Sequence, residues 1–153
     1  MLTLLAAIYR KWAAYRLESL REWIETWADK DLFSIDAGSE EAWWTTAIEI
    51  EEAILKGEEV IGGAADLEKA FDQIQRPLLT HLLKEVGMSE RILDTYMRFA
   101  EHLIVQNAIG DGLGHAYKRK CSIPQGCPMS MLMMAFILKP WVSMMQSKEG
   151  ACQ

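Results

Sequence analysis

Ala65-Asp66-Leu67-Glu68-Lys69-Ala70-Phe71-Asp72 is the stretch on which the fold turns. It follows Val60 to Ala65, a short uncharged run that contains Gly62-Gly63 and reads as a buried strand, a reading the glycines weaken. A carboxylate at the end of such a strand is costly unless a metal or hydrogen bonds compensate it. Ligand sites in sheets that carry helices often lie outside strand ends. Asp66 is therefore placed to hold magnesium, which prefers hard oxygen ligands and substrate phosphates. Taken alone, the stretch has a simpler reading, in which Asp66 caps a helix starting at Leu67 and Phe71 belongs to the core.

Upstream, Leu5, Ile8, Trp12, Tyr15, Leu20, Trp23 and Trp27 recur mostly at helical spacing and predict one long amphipathic helix. Ser39 reads as an N-cap with Glu40 and Glu41 in the first turn, where the helix dipole favours acid. That helix runs to about Leu55, with Trp44, Ala47, Ile48 and Ile54 or Leu55 inward, and stops at Gly57. Downstream, Pro77 and Gly87 bracket a helix whose apolar set is Leu78, Leu79, Leu82, Leu83 and Val86. Ser89 caps the next, which carries Ile92, Leu93, Tyr96, Met97, Ala100 and Leu103. From Ile104 the pattern turns strand-like. Gly110-Asp111-Gly112 marks a hairpin turn, and His115 to Cys121 reads as the returning strand.

A second stretch, Ile123-Pro124-Gln125-Gly126-Cys127-Pro128-Met129-Ser130, reads as a stiff turn between two prolines. Its glycine lets a ligand approach the backbone. It leads into an apolar helix, Met129 to Gln146, whose first N–H groups suit an anion such as phosphate. Gln125 offers a donor and an acceptor to a base or sugar. Taken alone, it reads as an ordinary loop between a strand and a helix.

Composition narrows the class. The chain has 153 residues, half hydrophobic and a quarter charged, which excludes wholesale disorder and suggests one domain or a piece of one. Its net charge of -6 excludes a histone-like nucleic-acid binder but not a local basic site. Between Asp36 and Glu59 eight carboxylates face one Lys56, a local -7, so the remainder carries -6 + 7 = +1. Three cysteines and three scattered histidines argue against a disulfide scaffold or a zinc module. Met1 to Ile8 lacks the basic start of a signal peptide, and Lys139-Pro140 is expected to stop the apolar run from Met129 well short of a bilayer span. An intracellular protein, nuclear or cytoplasmic, with no membrane partner is the expectation.

Together the two stretches are far more specific than either alone. In order, and 125 - 66 = 59 residues apart, they resemble the first two palm motifs of reverse transcriptases, especially those of non-LTR retrotransposons. Leu2-Thr3-Leu4-Leu5-Ala6-Ala7-Ile8-Tyr9-Arg10-Lys11 resembles that family's fingers segment, and the likeness covers roughly residues 2–141. The resemblance implies an α+β, helix-rich chain: partial fingers (about 1–58) and the first half of a palm (about 59–146) of a right-hand polymerase fold, with a small, mostly antiparallel sheet. It implies that Asp66 is a catalytic metal ligand, joined by the Leu67 main-chain carbonyl, for Mg2+ or Mn2+. Phe71 would lie under the incoming sugar, where a bulky ring excludes a 2′-hydroxyl. Gln125 and Gly126 would contact the incoming nucleotide and template. Glu68, Lys69 and Asp72 would support the local helix, Asp72 being solvated or paired. Lys118, Arg119 and Lys120 read either as contacts to a nucleic-acid backbone or as a solvated, lysine-guarded hairpin edge. Implied partners are an RNA template, a DNA primer and deoxynucleoside triphosphates.

The departures are as informative. Two-metal phosphoryl transfer needs several carboxylates. The family draws further aspartates from a later hairpin with paired aspartates, whereas the last aspartate here is Asp111. Ser130 is followed by Met131 where the family usually has proline. The expectation is thus a fragment of an RNA-directed DNA polymerase, inactive unless the missing half is supplied, with a sticky uncovered palm face that promotes self-association. The alternative expectation is a degenerate retroelement remnant, or a non-catalytic helical module that binds RNA or protein.

Overall fold

The computed structural model describes residues 5–28, 39–62 and 66–149. Its elements in chain order are α1 (Ala7–Glu18), α2 (Arg21–Glu25), α3 (Ser39–Lys56), α4 (Ala70–Gln73), α5 (Arg76–Glu85) and α6 (Glu90–His102), then β1 (Ile104–Val105), β2 (Ala108–Ile109), β3 (Gly112–Leu113), β4 (Tyr117–Lys118) and α7 (Pro128–Glu149). The chain is helix-rich α+β. The strands form two antiparallel ladders of one hairpin arm: β2 pairs with β3 at the tip, and β1 with β4 at the base. Between the ladders the Gly114 N–H donates to the Asn107 carbonyl at 2.8 Å.

The core lies where α1, α2, α5 and α6 close around the first half of α7. Leu79 and Leu83 of α5, Leu93, Tyr96 and Met97 of α6, and Met129, Leu132 and Met133 of α7 are buried in one cluster with Ala13, Leu20 and Ile24. The inward face of α6 is the one its three- and four-residue spacing predicts. Its partner α5 is half as expected: Leu79 and Leu83 are buried, but Leu78, Leu82 and Val86 are exposed. The α5–α6 turn closes with Gly87 at φ 77° and a bond from the Met88 N–H to the Leu83 carbonyl at 3.0 Å. Ser89 is the N-cap of α6 through its backbone carbonyl, its side chain making no capping bond.

Five expectations are corrected. The N-terminal helix is two helices, broken at Ser19-Leu20, and it turns Tyr9, Ala13, Leu20 and Ile24 toward the core while Ile8 and Tyr15 face outward. Helix α3 forms over the expected range, but none of its residues is buried: Trp44 is 61% and Leu55 88% exposed. Ser39 is its first helical residue, and the position before it lies outside the described residues. No strand forms over Val60 to Gly62. Ile61 is 96% exposed, and with no neighbouring strand among the described residues to satisfy its backbone this run gains nothing from extension; residues 63–65 lie outside the described residues. Pro140 does not end α7. Proline removes only the bond to the Phe136 carbonyl, and the helix continues to Glu149. Pro128–Met145 is therefore long and apolar enough to cross a membrane by length and composition, a test that the core helix of a globular fold also meets. The returning strand is also shorter than expected, confined to Tyr117–Lys118.

Candidate functional site

The second stretch folds as a tight turn. The Cys127 N–H donates to the Pro124 carbonyl at 3.2 Å, and Gly126 takes φ 105°, a value the third residue of such a turn requires. Pro124 and Cys127 are buried on either side, so Gln125 stands half-buried and Gly126 exposed between two anchors. The Cys127 carbonyl then accepts the Ser130 N–H at 3.0 Å, which opens α7. Two hydroxyl contacts hold this corner from beneath. Ser130 and Tyr96 share a buried hydrogen bond of 2.9 Å, and the Tyr9 hydroxyl lies 3.4 Å from Cys127 Sγ, its ring stacked on Phe99. Burial pushes both tyrosines well above the ordinary phenol range; the Cys127 contact adds to the rise at Tyr9, while the Ser130 bond partly opposes it at Tyr96.

The first stretch is not a strand end followed by a capped helix. Asp66 and Leu67 are exposed coil, and Lys69 enters the left-handed region at φ 49° before the single turn α4. Phe71 and Ile74 from this turn are half-buried and pack on the core.

The structure brings the two stretches together along one seam. The Ile123 N–H donates to the Phe71 carbonyl at 3.0 Å, and the Ser122 N–H to the Ile74 carbonyl at 2.8 Å. Cys121 Sγ lies 3.3 Å from the Asp72 carbonyl. Arg119 pairs with Asp72, Nη1 to Oδ1, at 2.6 Å. Asp72 is thus paired, one of the two states expected of it. Of the three basic residues ahead of the loop, Lys118 and Lys120 are exposed, whereas Arg119 is drawn inward to Asp72.

Sequence reasoning missed Arg76. It is 6% exposed, the one buried charged side chain among the described residues, and it donates to the Ala100 carbonyl at 2.7 Å and to the Arg119 carbonyl. The available signal was electrostatic. A cation at a helix N-terminus opposes the dipole of that helix, so an arginine beside Pro77 needs another use. Here it sits against the C-terminal turn of α6, where the dipole favours it.

The donor set for a divalent ion is incomplete. Asp66 supplies one carboxylate and Leu67 one carbonyl, and no group of three or more His, Cys, Asp or Glu is disposed to hold a metal among the described residues. That does not fit a two-metal centre, which needs further carboxylates. A separate apolar groove of about 500 Å³ opens between α5 and α7, lined by Trp27, Ile74, Leu78, Leu82, Phe136 and Ile137 among others.

No family model, no curated protein and no solved structure matches the chain.

Proposed function

We propose that the chain is the nucleotide-positioning half of an RNA-directed DNA polymerase palm, the parent activity being magnesium-dependent deoxynucleotidyl transfer on an RNA template. The observation that carries this reading is the seam. Two stretches that resemble consecutive palm motifs, far apart in sequence, meet through backbone bonds at Phe71 and Ile123 and set the Gln125–Gly126 turn beside the Phe71 turn. A half-buried ring beside a turn with a half-buried amide and an exposed glycine is what sugar discrimination and base or backbone contact require. With one carboxylate, Asp66, this half does not itself position two ions.

The test is a Mn2+ titration with deoxythymidine triphosphate, read by water-proton relaxation. The wild-type chain is expected to bind the metal–nucleotide pair weakly, and Asp66→Ala to lose that binding. Identical titrations of the two proteins would remove Asp66 from the metal role. Phe71→Ala is expected to admit the ribonucleotide equally well. Sequencing the native transcript beyond the codon for Gln153 addresses the parent activity. A frame continuing into paired aspartates makes primer extension on the whole protein the next experiment.

A second reading, a non-catalytic module that binds RNA or protein, is favoured by α3, whose apolar side chains are uncovered. Binding of an RNA that is indifferent to Asp66→Ala and to added triphosphate would favour it.

A further inference from the structure

We propose that Asp72 and Arg119 form a latch that positions the Gln125 turn against Phe71, acting through the backbone rather than by touching a ligand. Its consequence for nucleotide choice rests on the palm reading above; the latch itself does not.

Backbone strain marks the seam. Among the described residues, only two non-glycine residues have positive φ, Lys69 at 49° and Ser122 at 93°. Neither is a residue that adopts such backbone readily, and each such position persists only where its surroundings over-determine it. Both flank the seam. Lys69 starts the turn that carries Phe71, and Ser122 leads into the loop that carries Gln125. Something must hold both, and few groups cross. Two backbone bonds do, from Ser122 and Ile123, and they straddle Asp72, since their acceptors are Ile74 and Phe71. The Arg119–Asp72 pair is the charged link in the same gap, 2.6 Å long, with the Arg119 side chain 16% and that of Asp72 35% exposed. Partial burial and a charge-assisted bond make such a pair stronger than an ordinary surface ion pair. Arg76 fixes its far end by donating to the Arg119 carbonyl while bound to α6. The cation is therefore held from behind by the core and pulls on the Phe71 turn in front. Without the pair, only the two backbone bonds and the Cys121 contact oppose relaxation of Ser122 toward negative φ, and relaxation there swings the turn three residues further on.

The test is amide hydrogen exchange at Ser122 and Ile123, whose N–H groups cross the seam, with Leu83 and Tyr96 in the α5–α6 core as internal references. Asp72→Asn and Arg119→Gln are each expected to speed exchange at Ser122 and Ile123 by about tenfold or more, with the references unchanged. The double variant Asp72→Arg/Arg119→Asp is expected to return the two amides toward wild-type rates. Arg119→Lys keeps the charge but not the guanidinium fork, should give an intermediate rate, and serves if a stronger change prevents folding. Unchanged exchange at the seam would overturn the latch. So would equal acceleration at Leu83 and Tyr96, which would make the pair a global stabiliser. Triphosphate binding is scored separately: if the wild-type chain binds none, the palm reading fails while the exchange rates still decide the latch.

Discussion

The Tyr96–Ser130 contact permits a quantitative test of how the Gln125 corner is held. Both residues are fully buried, and their hydroxyls meet at 2.9 Å. Tyr96→Phe leaves the Ser130 hydroxyl in an apolar interior without this partner, at a cost of about 1–3 kcal/mol. Ser130→Ala strands the Tyr96 hydroxyl in the same way, with a cost in the same range of roughly 1–3 kcal/mol. The double variant removes both polar atoms and leaves near-isosteric apolar surfaces, so it should cost about 1 kcal/mol or less. The cycle therefore predicts a coupling of roughly 1–3 kcal/mol, with the double variant more stable than either single one. The assay is urea unfolding followed by tryptophan fluorescence. With a slope of about 2 kcal/mol/M, each single variant lowers the midpoint by roughly 0.5–1.5 M while the slope stays constant. Additive losses, or a double variant less stable than both singles, would refute the claim that these hydroxyls satisfy one another.

Three further outcomes are expected. Stability should fall as pH rises above about 10, because unfolded tyrosine loses its proton there while buried Tyr96 keeps it; the slope for Tyr96 is at most about 1.4 kcal/mol per pH unit, and Tyr96→Phe should flatten the alkaline limb in pH-jump unfolding. Gly126→Ala forces a side chain onto φ 105° and should lower stability by about 1–3 kcal/mol in the same urea assay, with loss of any triphosphate binding. The chain should self-associate with increasing concentration in sedimentation, and Trp44→Ser/Leu55→Ser should weaken that association; a concentration-independent monomer would count against the uncovered face of α3 as its cause.

What could be read from the sequence was whatever the chain expresses locally. Helix α6 shows its inward face at every third or fourth residue, and the Pro77 and Gly87 signals bracket α5, because period and punctuation are properties of neighbouring residues. The turn at Gln125 was legible for the same reason, since two prolines and a glycine leave the backbone few choices. Asp66 was not, because its expected place depended on a strand over 60–65, and a strand needs a partner that local sequence does not name. Helix α3 has the composition of a half-buried helix, and spacing alone does not reveal that none of the described residues covers it. The seam was half visible: motif order implied that Phe71 and Gln125 belong together, but Arg76 and the Arg119–Asp72 pair depend on three-dimensional proximity between segments more than 40 residues apart.

The corner beneath Gln125 also imposes a schedule. Tyr9 and Cys127, whose side chains meet there, are separated by 118 residues. At 5–20 residues per second, roughly 6–24 s of synthesis separate the two. Helices α5 and α6, adjacent in the chain, can pair long before α7 exists. The Tyr9 ring of α1 can stack on Phe99 of α6 early, but the corner is not closed until the ribosome releases Cys127 and Met129. Helix α1 therefore waits for α7, against which it packs, and in that interval part of its apolar face is open to a chaperone.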